Sequence, residues 1–280
     1  MNSTTALSVD NINLADAMGF QISASSKQSN SLCRVKATVL QEFNKETKKI
    51  VPSPVFQMKR DEEEVYCRKM VVRLFVERQR WEKWDNAANT TQRTVMAQNL
   101  KSDLKDSLGT FNLQRGGFVK DFNALPEDRK QFIRNIKSCK VMMGMATLIE
   151  PFYEGGDPAT GFNEEIPFIM DVKNPDSKRN IQHSVEKLLR KVDTAAEHTV
   201  ALTGEAKDMS NGGKYMVIHS SLGDIVGFAD GDNDIIKECI EYVQRSNEYI
   251  LNKWDEANVE NLSMEDAKII NSIVDVQDFE

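Results

Sequence analysis

The interpretable part of this chain opens on alternation. Cys33, Val35, Ala37 and Val39 are separated by Arg34, Lys36 and Thr38, a period of two that predicts a half-buried strand over 33–40. A polar turn at 44–49 follows, and 51–58, with prolines at 52 and 54, predicts a second strand at a sheet edge. The stretch 65–84 fits two periods. Tyr66/Met70/Leu74 and Cys67/Val71/Phe75 are spaced as on a helix, while the β-branched and aromatic content favours a long strand ending at Trp81 and Trp84.

Residues 86–123 are polar and punctuated by glycine, with a short strand at 94–100. A loop this long inside a domain is a functional segment or a disordered one. Pro126, Glu127 and Asp128 open a helix reaching about 137, acidic in its first turn and basic in its last. Strands are expected at 138–151, where Gly144 marks a bulge or a close backbone approach, and at 166–172. A helix at 178–192 then precedes a hairpin of 199–205 and 214–219 around a glycine-rich turn. The apolar positions of 234–254 recur at helical spacing. After a break at 258–262, a short helix is expected over 264–274.

These elements predict an α+β protein: an OB-like antiparallel β-barrel with long loops and a helical C-terminal extension. The expected divisions are a polar, partly disordered leader at 1–30, an OB-like nucleic-acid-binding domain at 31–220, a helical extension at 221–262 and an acidic end at 263–280. The leader has no basic start, apolar segment or cleavage site, and no apolar run approaches the ~20 residues of a membrane span. A cytoplasmic protein without membrane contact is expected. Cys33, Cys67, Cys139 and Cys239 form no CxxC pair, and His183, His198 and His219 have no metal-binding spacing. Reduced thiols and no metal site are therefore expected.

Charge changes the picture more than composition does. The chain carries 36 Lys/Arg and 43 Asp/Glu, a net of −7, but 221–280 alone holds 4 Lys/Arg and 15 Asp/Glu. Residues 31–140 hold 23 Lys/Arg against 14 Asp/Glu. A basic, aromatic body followed by an acidic end suits a protein that holds a single-stranded polyanion, with cations tracking the backbone and rings stacking on bases. The candidates for that contact are Lys59, Arg60, Tyr66, Arg68, Arg73, Arg78, Arg80, Trp81, Lys83 and Trp84, with Arg115, Phe118 and Lys120 on a glycine-containing loop.

Phosphate-loop, dinucleotide-binding, nucleophile-elbow and zinc-protease motifs are absent, so no catalytic residue and no cofactor are expected. The alternative enzyme reading is a metal-dependent nuclease built on Asp157, Asp171 and Lys173, two carboxylates for a divalent ion and a lysine to support the attacking water. A viral or scaffold assembly protein that self-associates through the 234–254 helix is the other alternative.

The terminal residues Asp275, Asp278, Phe279 and Glu280 form a short acidic peptide with one aromatic. It resembles the tails of bacterial and phage single-stranded-DNA-binding proteins, which dock on basic pockets of their partners. The layout of leader, basic body, helical extension and acidic end resembles a phage-type single-stranded-DNA-binding protein. The resemblance implies sequence-independent binding of single-stranded DNA, or of RNA, in a bacterial host cell. It also implies recruitment of replication or recombination proteins through the acidic end, no catalysis, and room for a homo-oligomer.

Overall fold

The computed structural model describes residues 31–274 apart from 45–46, 61, 112, 191–194 and 211; of 44 and 259–274 it describes the backbone alone. The leader and the candidate partner-binding residues Asp275, Asp278, Phe279 and Glu280 lie outside the described residues.

The chain runs β1 (Cys33–Asn44), β2 (Lys49–Arg60), β3 (Glu63–Cys67), β4 (Lys69–Asp85), β5 (Thr90–Arg93), α1 (Glu127–Arg134), β6 (Lys137–Ile149), β7 (Ile166–Val172), α2 (Pro175–Leu188), β8 (His198–Asp208), β9 (Lys214–Ile225) and α3 (Asp232–Val274). It is α+β, with one large, mostly antiparallel sheet in the order β3-β2-β1-β7-β6-β4-β8-β9, and β5 paired to the end of β4. Among the described residues the single parallel pairing joins Cys33–Val35 of β1 to Phe168–Met170 of β7. Beyond Val35 the two strands part.

The ambiguous stretch 65–84 is strand, divided at Arg68 into β3 and β4. Within β4 the register to β6 slips between Leu74 and Val76, opposite Gly144. A side chain at 144 would overlap the Arg73 carbonyl, the close approach that the glycine announces. The bulge also changes which face each residue takes. Met70, Val72 and Leu74 join the main core, whereas Val76 joins a second one with Val141, Met143 and Ile169 beneath Cys239 and Val243 of α3.

The main core lies between the β1-β2-β3 part of the sheet and β4, β8 and β9, closed by Ile181, Val185 and Leu188 of α2. Helix α2 starts at Pro175, earlier than the periodicity suggests, because Asn174 caps it by accepting the Ser177 N–H at 2.9 Å. Its polar row Ser177, Asn180 and Ser184 meets the outer edge of β9. Ser177 Oγ accepts the Ile218 N–H at 2.9 Å, Asn180 Nδ2 donates to the Ile218 carbonyl at 2.8 Å, and Ser184 Oγ donates to the Ser220 carbonyl at 3.3 Å. At the other end of the sheet, Tyr66 of β3 exchanges two backbone hydrogen bonds of 2.8 Å with Phe152. Side chains and a loop thus occupy both edges.

The segment 86–123 is more organised than its polarity suggests. The buried Asp106 carboxylate accepts backbone N–H groups from Leu108, Thr110 and Phe111. Phe111 and Leu113 pack with Ile136 against Trp81 and Phe132. The break expected at 258–262 is replaced by continuous helix, because α3 runs unbroken through Val274. No helix among the described residues is long and apolar enough to cross a membrane.

Candidate functional site

The parting of β1 and β7 opens a cleft of about 390 Å³, lined by Arg34 and Lys36 of β1, Glu82 of β4, Arg93 of β5, Asp171 of β7 and Lys173 just after that strand. Strand geometry puts these groups on one face. Arg34 and Lys36 are two apart on β1, and Lys59 of β2 is directly opposite Arg34. Glu82 is opposite Arg93 and Trp84 opposite Thr91 on β4 and β5. The result is a row of five cations, Lys59, Arg34, Lys36, Lys173 and Arg93, running toward Trp84, which is 53% exposed.

Beneath the row lies an ion network. Arg80, 1% exposed, donates from Nε to Glu82 Oε1 at 2.7 Å and from Nη2 to both oxygens of Asp171 at 3.1 and 3.2 Å. Lys173 Nζ lies 2.7 Å from Glu82 Oε2, and Arg34 Nη1 3.2 Å from Asp171 Oδ2. Burial opposes charge on Arg80 and on Glu82, yet the mutual fields prevail: Asp171 and Glu82 raise the guanidinium, and Arg80 and Lys173 lower the Glu82 carboxyl. Neither Lys36 nor Arg93 takes part in an ion pair among the described residues; the Lys36 charge, with that of Lys59, only adds to the Tyr66 hydrogen bond in lowering the Glu64 carboxyl, so both side chains can meet an anion at the cleft mouth.

Glu82, Cys139 and Asp171 each bring one potential ligand atom within 4.8 Å of the others. The Arg80 guanidinium already bonds both carboxylates, and burial pushes the Cys139 thiol far above its ordinary value, keeping it protonated. A divalent ion would have to displace Arg80, so these residues do not fit a metal. The nuclease triplet is separated as well. Asp157 is tied to Tyr153 beside the Ile149 end of β6, whereas Asp171 pairs with Val141. Eight residues of strand put them about 25 Å apart.

The residues expected from the sequence take up different places. Lys59 and Trp84 stand on the cationic face, with Arg80 buried beneath it. Arg73, 3% exposed, is gripped by Glu165 at 2.6 and 2.8 Å and by Asp232 at 2.6 and 2.9 Å. Tyr66 is buried, stacked on Phe152 at 6.0 Å, and its hydroxyl bonds Glu64. That carboxylate and burial push the phenol up to about 12. Arg68 is exposed but held by both oxygens of Glu42 at 2.7 and 2.9 Å. Arg78 is half-buried and donates to the Glu77 carbonyl. Arg60 stands 6.0 Å above the ring of Phe162.

Trp81 and Trp84 are three apart on a strand and therefore point to opposite faces. Trp81 packs with Phe111 and Leu113 under Gly117, and Lys83 on the same side lies 4.7 Å above Phe132. Arg115, Phe118 and Lys120 are exposed on the loop covering that side, so the structure does not bring them to the cleft. Sequence reasoning left out Arg34, Lys36 and Arg93, and weighed Lys173 only as a nuclease lysine. The period-two polar face of 33–40 is the signal that marks the first two. No family model matches the chain, and no curated protein or solved structure matches it either.

Proposed function

We propose that the protein binds single-stranded nucleic acid without base-sequence preference and without catalysis. The strand lies across the outer sheet face at the β1–β7 cleft. Lys59, Arg34, Lys36, Lys173 and Arg93 meet successive phosphates, and Trp84 stacks on a base. On this reading the curled sheet serves as an OB-like platform, and the acidic end, Asp275 to Glu280, recruits replication or recombination proteins. The observation that carries the proposal is the alignment of five cations on one face with an exposed tryptophan at its end. Removing that ring costs about 1–3 kcal/mol if it carries one stack.

The test is fluorescence anisotropy of a labelled oligo-dT at two salt concentrations, with duplex DNA as the control. The expected result is salt-weakened binding to the single strand with quenched tryptophan emission, lost in Lys36→Glu/Arg93→Glu and weakened in Trp84→Ala. Absence of binding at low salt overturns the proposal.

A further inference from the structure

The two ends of β6 carry opposite chemistry. At the Lys137 end is the cleft just described, whose lining holds four cations and two carboxylates beside an exposed indole. At the Ile149 end lies a broader groove of about 1050 Å³ between the β1–β2 hairpin and the loop that follows β6. Pro151, Phe152 and Pro158 give it an apolar wall. Among the described residues its charged lining is Glu42, Glu150 and Glu154 against Arg68, and Arg68 is already bridged by Glu42. The stretch from Glu150 to Glu165 contains five carboxylates and no Lys or Arg. At the hairpin tip Phe43, 62% exposed, lines the groove, and Ile50, 68% exposed, is its cross-strand partner.

We infer that the acidic groove receives the cationic end of a second copy of this chain. A groove with an apolar wall and a carboxylate rim calls for an aromatic anchor flanked by cations, and Trp84 with Lys36, Arg93 and Lys173 is that combination. A net of two negative charges on one lining meets a net of two positive charges on the other. Because the two surfaces sit at opposite ends of a strand about 40 Å long, the contact is head-to-tail. It generates open chains of molecules rather than a closed dimer.

The inference shares Trp84 with the proposed strand-binding face, and one indole cannot serve both at once. An excess of oligo-dT therefore dissolves the association.

Sedimentation velocity of the full chain over two decades of concentration tests this. The wild-type sedimentation coefficient is expected to rise with concentration and to fall back with added salt. Glu150→Lys/Glu154→Lys and Lys36→Glu/Arg93→Glu are each expected to stay monomeric, with circular dichroism checking that both are folded. An equimolar mixture of the two variants associates again, since each then offers what the other lacks. A wild type that is monomeric throughout overturns the inference, as does association surviving in either variant or a mixture that stays monomeric. Failure of oligo-dT to bind the wild type, measured separately by anisotropy, removes the proposed function and leaves the sedimentation result to decide the association. Oligo-dT that binds without dissolving the chains overturns the shared role of Trp84.

Discussion

Gly117 is pressed against the indole of Trp81: a Cβ at that position would come 2.8 Å from Cη2 and 3.0 Å from Cζ2. Its backbone also has a φ of +83°, a region that glycine enters freely and other residues do not. Gly116, at φ +68°, has nothing within 4 Å of the same construction. Gly116→Ala therefore incurs only the backbone cost, about 1 kcal/mol, while Gly117→Ala incurs that cost and the displacement of the ring. Urea unfolding of the two variants should show the second clearly less stable, with altered tryptophan emission.

Arg73 and Asp232 form a charge pair inside the fold, 3% and 5% exposed at their side chains. The Glu165 and Asp232 hydrogen bonds raise the guanidinium above its ordinary value against the cost of burial. Arg73→Ala leaves Asp232 buried and uncompensated, a loss of about 3–5 kcal/mol. Arg73→Met combined with Asp232→Leu should recover much of that loss. Equal destabilisation in the single and double variants, measured in urea, would show that the charges are not the cause.

Acid should unfold the protein through its depressed carboxyls. Burial pushes Glu82 and Asp232 up, but Arg80 and Lys173 at Glu82, and Arg73 at Asp232, bring both below their ordinary values of 4.5 and 3.8. A carboxyl depressed in the folded state stabilises fully above its unfolded value, and that contribution is lost as pH falls through the folded one. The urea midpoint should hold from neutrality to about pH 5 and drop steeply below about pH 4. Asp232→Asn, less stable throughout, should show a shallower drop.

Salt offers a count of the phosphate contacts. If the five cations of the cleft face each neutralise one phosphate, the logarithm of the affinity falls with log salt at a slope of about −3.5. Replacing Lys36 and Arg93 by alanine should lower its magnitude by about 1.4 on the same basis. An unchanged slope in that variant would place the strand elsewhere.

Much of this fold was legible in the sequence because local pattern decided it: the alternation of 33–40, the glycine at 144, the helical spacing of the apolar residues between 181 and 188. Long-range pairing was not. Arg73 and Arg78 look alike in the sequence, but Arg73 has partners 92 and 159 residues away, and nothing near it announces them. Asp106 belongs to a polar run, and only the folded loop turns it into an anchor for three backbone amides. The opposed directions of Trp81 and Trp84 followed from strand geometry, but only once strand had been separated from helix over 65–84. The polar row of α2 reads as solvated surface, although Ser177 and Ser184 are buried.

That row of two serines and an asparagine has a bearing on how the protein tolerates crowding. With Ile218 and Ser220 engaged by α2, and Tyr66 by Phe152, part of the backbone at each end of the sheet is already taken. A neighbouring chain that adds a strand to this stretch of β9 has to displace α2 first. The small hydroxyls of Ser177 and Ser184 thus guard the middle of an edge strand against strand addition.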